Sequence, residues 1–351
     1  MSRFSNDRIK NLTPYTPGEQ PKERKYIKLN TNESPYPPSE NAVKKAREIA
    51  DSLMLYSDPE SRALTEKMAE VLGVSYDEVL MTNGSDEILN FAFMAFCDKN
   101  TPAVFPDITY GFYPVFADLN DVPYREIPLK EDFTIDITEY FDAKGTVFIA
   151  NPNAPTGIYL KLSEIEEILK HNKENVVVVD EAYVDFGNES AVGLIGKYEN
   201  LLVTQTFSKS RSMAGARLGF GCANAELIGD LNTIKYSTNP YNINRMTHAA
   251  GIGALEDEEY TKANLKKIVE TREFTKKGLT DLGFTFPDSA ANFIFAKHEK
   301  MSGEEIYKAL REKGILVRHF TKEKIKDYNR ITVGSREEME TLLSALSEII
   351  K

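Results

Sequence analysis

Apolar runs rich in valine, isoleucine and phenylalanine alternate along this chain with segments of helical periodicity. The runs are short, end near turn residues and lack strict apolar and polar alternation, which predicts strands covered on both faces. They span residues 79–82, 103–105, 146–150, 176–180, 201–206 and 218–222. The segments between them predict helices, among them residues 61–72, 86–96 and 163–171, and a capping box of Ser163 and Glu166 opens the last of these.

This alternation predicts an α/β fold with a mostly parallel sheet, whose functional groups lie at the carboxyl ends of the strands. The pattern changes after Pro240, where a long charged amphipathic segment, residues 256–282, leads into shorter elements. These are predicted strands at 292–296 and near Ile315 and Ile331, a helix at 303–313 closed by Gly314, and a terminal helix with a capping box of Ser335 and Glu338. A smaller α+β domain is therefore expected after the large one.

Three segments divide the 351 residues. Residues 1–38 are too rich in proline for regular structure, which predicts an N-terminal arm that contributes to the small domain and to dimer contacts. Residues 39–245 are expected to form the large domain. Residues 246–351 are expected to form a linking helix and the small C-terminal domain.

The charge balance limits the classes of partner. With 43 Lys+Arg against 54 Asp+Glu, the formal net charge is -11, which disfavours binding to nucleic acid or to an anionic membrane. Cys97 and Cys222 lie among apolar or small residues, which favours buried free thiols over a disulfide or a metal site. Because no apolar segment is long enough to span a bilayer or to serve as a signal peptide, we expect a cytoplasmic protein.

The segment T-F-S-K-S, residues 206–210, directly follows a predicted strand. Lys209 in this segment is a candidate amine nucleophile, since lysine forms Schiff bases with carbonyl compounds when its pKa is lowered. Arg217, eight positions later, and the hydroxyls of Thr206 and Ser208 would suit a phosphate group. A solvated surface lysine would fit the same segment when it is taken alone.

The valine run that ends at Asp180 places a carboxylate at the edge of the predicted sheet. Such a group can keep a pyridine nitrogen protonated, which makes the ring an electron sink, and Tyr183 could donate a hydrogen bond to a ring oxygen. Equally, Asp180 could cap a turn and Tyr183 could be ordinary packing. An ATPase is disfavoured, because the chain contains no phosphate-binding loop of the G-x-x-x-x-G-K-[ST] type.

Two further turns follow predicted strands. Residues 82–87, T-N-G-S-D-E, open a helix whose free amides could hold a phosphate. Residues 151–157, N-P-N-A-P-T-G, form a loop fixed by two prolines and a glycine, which could present an amide to a ligand. Either segment could also be a simple turn.

Together these segments resemble the fold-type I pyridoxal-phosphate aminotransferases, and among them the histidinol-phosphate aminotransferase group, over nearly the whole chain. The resemblance implies the aspartate aminotransferase-like fold and pyridoxal 5′-phosphate as cofactor. It places the pyridinium contact on Asp180, the ring-hydroxyl contact on Tyr183 and the Schiff base on Lys209. The A-G-x-R-x-G segment at 214–219 makes Arg217 the phosphate arginine.

The resemblance also implies the remaining cofactor contacts. Phosphate is bound by Gly84, Ser85 and Asp86, beside Thr206 and Ser208, while Tyr110 stacks on the ring. Tyr56 reaches the phosphate of the neighbouring subunit, which implies a homodimer. The family loop usually reads N-P-N-N-P-T-G, and Ala154 replaces the asparagine that contacts the ring hydroxyl. Asn153 is the candidate to take over that contact, unless Tyr183 serves alone.

For the substrates, the resemblance implies an arginine, Arg330, that binds the acidic group and a second anion contact at Arg318. Tyr15 in the arm would help to bind a substrate phosphate, and Tyr241 would line the same pocket. The expected reaction transfers an amino group between histidinol phosphate and 2-oxoglutarate or glutamate, a step of histidine biosynthesis. An aromatic amino-acid aminotransferase, a threonine-phosphate decarboxylase and a non-catalytic binding module with the same fold remain as alternatives.

Overall fold

The computed structural model of the protein describes residues 2–350. Its strands β1 to β12 are, in chain order, Ile27–Leu29, Val79–Thr82, Ala103–Pro106, Tyr124–Ile127, Thr146–Ala150, Val177–Asp180, Leu201–Thr206, Gly219–Ala223, Phe284–Thr285, Phe293–His298, Ile315–His319 and Asn329–Thr332. Its helices α1 to α11 are Asp7–Asn11, Glu40–Ile49, Arg62–Leu72, Ser85–Phe96, Tyr113–Asn120, Leu162–Lys170, Ala225–Thr238, Arg245–Leu255, Glu258–Asp281, Gly303–Glu312 and Arg336–Ile349.

The larger sheet has seven strands in the order β2-β8-β7-β6-β5-β3-β4. Strands β3 to β7 run parallel, and β8 is antiparallel to both of its neighbours. Val177 and Val179 belong to the core on one face of this sheet, while Val178 belongs to the core on the other. The absence of polar alternation in the sequence follows from this double burial, and the predicted α/β fold is confirmed.

The smaller sheet has five strands in the order β1-β11-β12-β10-β9. The N-terminal arm supplies β1, which pairs in parallel with β11. The expectation that the arm is wholly irregular is therefore wrong, because its prolines leave residues 22–34 free to pair. The domain boundaries at residues 38 and 245 stay predictions.

Of the two capping boxes predicted from the sequence, one is confirmed and one is wrong. The capping box of Ser335 and Glu338 is present at the start of α11. The one predicted for Ser163 and Glu166 is wrong, because α6 begins at Leu162 and the Glu164 carboxylate accepts instead from the Lys161 N–H, at 3.1 Å. Both cysteines are free and buried, as expected. Among residues 2–350, no helix combines the length and apolarity needed to cross a membrane.

Candidate active site

A cavity of about 290 Å³ lies between the carboxyl ends of β5 to β7 and the face of β11 and β12. Strand ends, the α4 turn and the small sheet all contribute to its wall. Twelve of the predicted residues line it: Tyr15, Ser85, Asp86, Tyr110, Asp180, Tyr183, Thr206, Ser208, Lys209, Arg217, Arg318 and Arg330. The fold thus brings together residues that lie more than 300 positions apart in the chain.

Lys209 follows β7 and extends into this cavity. Its Nζ donates a hydrogen bond to the carbonyl oxygen of Thr31, at 3.0 Å. Burial, and then the positive charge of Arg330, lower the pKa of Lys209 to about 8. An amine with this pKa is partly neutral near physiological pH, which is the state that attacks a carbonyl carbon.

Asp180 ends β6 and is buried at the floor of the cavity. The Tyr113 hydroxyl donates to its Oδ2 at 3.1 Å, and the Ala182 N–H donates to its Oδ1 at 3.3 Å. Burial raises the pKa of Asp180 to about 7. A cationic N–H placed beside this carboxylate would restore its ionised form, because an opposite charge offsets the cost of desolvation.

Tyr183 lies three residues beyond Asp180, with its hydroxyl in the cavity. Its ring packs edge-on against Phe293 with centroids 5.0 Å apart, and its oxygen accepts a hydrogen bond from Asn32 Nδ2 at 2.9 Å. Burial raises the pKa of the phenol, so Tyr183 keeps its proton at neutral pH.

The anion-binding end of the cavity is built around the first turn of α4. No side chain caps this helix, and Gly84, with a φ of 78°, directs its N-terminus toward Arg217. A Cβ at Gly84 would lie 2.6 Å from the Arg217 guanidinium, so only glycine permits this approach. Arg217 also donates to the Ser208 hydroxyl at 3.4 Å, and that hydroxyl lies 2.9 Å from Thr206 Oγ1.

Asp86 connects two other predicted residues at this end. Its carboxylate accepts from the Tyr110 hydroxyl at 2.7 Å and forms an ion pair with Arg217 at 3.2 Å. Asp86 therefore orients the arginine in addition to opening the helix. The stacking role expected of Tyr110 stays a prediction.

Arg318 and Arg330 occupy the opposite wall. They are directly paired across β11 and β12, an arrangement that is unfavourable for two like charges without an anion nearby. Arg330 donates to the Asn30 carbonyl at 3.2 Å, and its Nε has no hydrogen-bond partner within residues 2–350. The pair thus forms a second cationic site in the cavity, apart from Arg217.

The N-terminal arm packs against this wall of the cavity. Arg318 donates to the carbonyl oxygens of Thr16 and Pro17, at 3.0 and 3.2 Å, and Tyr15 stacks on Phe112 with centroids 4.2 Å apart. Arg318 is therefore also the residue that fastens the arm over the cavity.

Tyr56 and Tyr241 do not line the cavity of their own chain. Their rings stack at 4.6 Å on the surface, where their exposed fractions are 79% and 44%. Tyr241 does not face the cavity of its own chain, because the turn after α7 places it beside Tyr56 on the surface, and its place in a substrate pocket stays a prediction. A contribution of Tyr56 to a neighbouring subunit stays a prediction.

Asn153 also lies outside the cavity wall. Its Nδ2 donates to the Ile108 carbonyl and to Thr156 Oγ1, both at 3.0 Å, and its Oδ1 accepts from Thr109 at 2.8 Å. The amide is fully used by Thr156 in its own loop and by Ile108 and Thr109 of the neighbouring segment, so the suggestion that Asn153 replaces the missing contact at Ala154 is not supported. Ala154 itself lines the cavity.

Sequence reasoning missed several residues of the site, among them Thr31 and Asn32 in the cavity wall and Tyr113 behind Asp180. Tyr113 is the first residue of α5 and packs edge-on against Tyr110 with ring centroids 5.7 Å apart, and no sequence signal indicated its bond to Asp180. Thr31 and Asn32 follow the short strand β1 and carried no signal, because their contacts are with residues far along the chain.

Comparisons with known proteins identify the family. A model of the family described as aminotransferase class I and II matches residues 24–346. The chain belongs to the aminotransferase class I and II family. Among its relatives, a histidinol-phosphate aminotransferase from Brachyspira hyodysenteriae is 51% identical over 100% of both chains. Another, from Clostridium botulinum strain Kyoto, is 48% identical over 100% of this chain and 99% of the relative.

Solved structures of this aminotransferase family agree with the fold. The histidinol-phosphate aminotransferase from Sinorhizobium meliloti, solved in complex with pyridoxal-5′-phosphate, superposes with a TM-score of 0.90 at 25% identity. The superposition covers 100% of this chain and 98% of the other. An aspartate aminotransferase from Thermus thermophilus, with a TM-score of 0.83 at 19% identity over 99% and 100% of the two chains, shares the fold.

Proposed function

We propose that this aminotransferase transfers an amino group between histidinol phosphate and 2-oxoglutarate, with pyridoxal 5′-phosphate as cofactor. Relatives of that activity that match this chain over its full length support the assignment. The observation that carries it is the Arg318 and Arg330 pair, which faces the cavity that Lys209 enters. The pair supplies an anion site for the substrate in addition to the one at Arg217.

The residues of the cavity fit the cofactor. Arg217, the uncapped N-terminus of α4 and the hydroxyl of Ser208 would hold its phosphate, while Asp180 would pair with the ring nitrogen. Gly84 leaves the space that this phosphate site requires, since a Cβ there would contact Arg217. When bound, the cofactor supplies the electron sink that stabilises a carbanion at the substrate Cα.

Each residue of the cavity would have a separate role in amino transfer. Lys209 Nζ, with its lowered pKa, would accept a proton from the substrate Cα and return it to C4′ of the cofactor, as general base and then general acid. Asp180 would keep the ring nitrogen protonated from its buried position. Tyr183 would donate to the ring oxygen, and Tyr15 would cover the entrance.

Arg318 and Arg330 suit both substrates, because a guanidinium fork binds phosphate and carboxylate alike. Histidinol phosphate presents a phosphate there, and glutamate presents its side-chain carboxylate. Phenylalanine offers no distal anion, so the paired cations favour histidinol phosphate over an aromatic substrate. A non-catalytic module is disfavoured, since Lys209 and Asp180 are both present.

Replacing Arg330 by glutamine tests the substrate assignment. We expect kcat/KM for histidinol phosphate to fall by about 10-fold to 100-fold, since a hydrogen bond to a charged group contributes about 1.5–3 kcal/mol. Steady-state kinetics would measure the change. Arg336→Gln removes a surface arginine that pairs with Glu340 and should leave kcat/KM unaltered. An unchanged value in Arg330→Gln would exclude Arg330 from substrate binding.

The enzyme is further proposed to act as a homodimer with shared sites. Leu53, Met54, Leu55 and Tyr56 form an exposed apolar segment, with exposed fractions of 53%, 82%, 58% and 79%. Arg245 fixes this segment by donating to the Tyr56 carbonyl and the Ser52 hydroxyl, both at 2.9 Å. Because the segment is apolar, exposed and fixed in place, it supports the proposal that these side chains are buried against a second copy of the chain. The cytoplasmic location stays a prediction.

Complementation between two inactive variants would test the shared site. Coexpressed Lys209→Ala and Tyr56→Ala chains form mixed dimers in which one site has both native residues if Tyr56 acts across the interface. With random pairing we expect about one quarter of the wild-type activity, well above that of either variant alone. Activity that never exceeds the separate variants would place Tyr56 with its own chain's site or outside catalysis.

A further inference from the structure

Asn32 occupies the point where the arm, the small sheet and Tyr183 meet. The residue is 1% exposed and has a φ of 56°, a left-handed conformation that asparagine tolerates better than most residues. Its carbonyl oxygen accepts from Asn292 Nδ2 at 3.1 Å. The bend at Asn32 leaves the preceding carbonyl, that of Thr31, facing Lys209 while the Asn32 side chain reaches Tyr183.

Two hydrogen bonds to Thr332 determine which way the Asn32 amide points. The Asn32 backbone N–H donates to Thr332 Oγ1 at 3.0 Å, so that oxygen is the acceptor there. The one proton of the Thr332 hydroxyl is then free to go to Asn32 Oδ1, also at 3.0 Å. The amide oxygen is thereby fixed toward Thr332, and the NH2 group toward Tyr183.

This arrangement sets the direction of the hydrogen bond at Tyr183. The phenol oxygen accepts a hydrogen bond from Asn32 Nδ2, so the phenol does not donate its own proton to Asn32. That proton remains available to a group in the cavity. The need for it is greater in this chain, because Ala154 stands where an asparagine would supply a second donor, and the Asn153 amide is already bonded to Ile108, Thr109 and Thr156.

We propose that Asn32 is a positioning residue that holds the Tyr183 hydroxyl as a proton donor toward the ring oxygen of the cofactor, with Thr332 fixing its amide. This inference rests on the proposed function. Asn32 acts only through Tyr183, and it couples the cofactor end of β6 to strand β12 of the small sheet.

The test follows the visible absorbance of the cofactor bound to Lys209 as a function of pH. A hydrogen bond donated to the ring oxygen stabilises negative charge there and so lowers the pH at which the Lys209 nitrogen loses its proton. Asn32→Gly keeps the left-handed backbone and removes the amide. We expect the midpoint to rise by about 0.4 to 1 pH unit, the equivalent of one net hydrogen bond. Thr332→Val, which leaves Asn32 in place, should shift it in the same direction by less.

Two further variants separate positioning from general damage. In a Tyr183→Phe background, Asn32→Gly should produce no additional shift, because the group through which it acts is gone. Asn172 is buried to the same 1% exposure and bonds to the Tyr140 and Ile168 carbonyls, so Asn172→Ala should lower the melting temperature without moving the midpoint.

The possible results are distinct. A wild-type midpoint in Asn32→Gly, or an undiminished shift in the Tyr183→Phe background, would overturn the role of Asn32. If Asn32→Gly does not fold, Thr332→Val tests the proposal in its place. A wild-type midpoint in Thr332→Val would then overturn the role of Asn32. A wild-type protein that shows no visible cofactor band would instead refute the proposed function.

Discussion

Lys209→Ala is expected to lower the rate of amino transfer by about 10⁴-fold or more, the upper range for loss of a general acid and base. The variant should also lack the visible absorbance of a lysine-bound cofactor, although Arg217 and the α4 N-terminus can still bind the phosphate. The reason is that Lys209 is the amine in the cavity whose pKa is lowered, to about 8. Absorption spectra and single-turnover kinetics on the purified variant would measure both effects.

The matched control is Lys197→Ala. Lys197 lies on the surface with 62% of its side chain exposed and pairs with Glu166, so its loss should leave spectrum and rate unaltered. A persistent visible band in Lys209→Ala would assign the covalent attachment to another amine.

Asp180→Asn is expected to reduce kcat by at least about 100-fold while the protein still binds its cofactor. Asparagine keeps the shape of the side chain but carries no negative charge, so the ring nitrogen is no longer held in its protonated form and the carbanion at Cα loses its electron sink. The buried position of Asp180 makes this charge effective, because water does not screen it. Steady-state kinetics and cofactor titration would separate kcat from binding.

Tyr113→Phe provides the comparison for that prediction. It removes the hydrogen bond to Asp180 and keeps the carboxylate charge, so we expect a clearly smaller loss of kcat than in Asp180→Asn. A full rate in Asp180→Asn would contradict the electronic role of this carboxylate.

The sequence was most informative where burial is complete. The valine run before Asp180 and the run before Lys209 predicted β6 and β7 to within one residue, because strands that are covered on both faces are uniformly apolar. The edge strand β4, with the sequence Y-R-E-I and three exposed residues, has no such pattern and could not be recognised. Helix starts were harder, as the misplaced box at Ser163 shows, since α6 begins after Lys161, which is not a typical capping residue, and only Glu164 accepts a bond there.

For the candidate site, too, some residues could be predicted from the sequence and others could not. Groups that follow strands locally, such as Lys209 and Asp180, could be predicted from their motifs. Thr31 and Asn32 could not, because their roles depend on contacts with Lys209, Tyr183 and Thr332, from 151 to 300 positions away. The position of Tyr241 could not be predicted for a related reason, since sequence does not reveal that the turn after α7 faces outward toward Tyr56.

The most direct test of the proposed function is the absorption spectrum of the purified protein while amino donors are added one at a time. Histidinol phosphate, glutamate, phenylalanine and O-phosphothreonine would be compared at equal concentrations. We expect histidinol phosphate and glutamate to convert the visible band to the amine form of the cofactor far more readily than phenylalanine does, because both carry a distal anion for Arg318 and Arg330 and phenylalanine has none. Preference for phenylalanine or O-phosphothreonine would contradict the substrate assignment, and the absence of any band would contradict the cofactor.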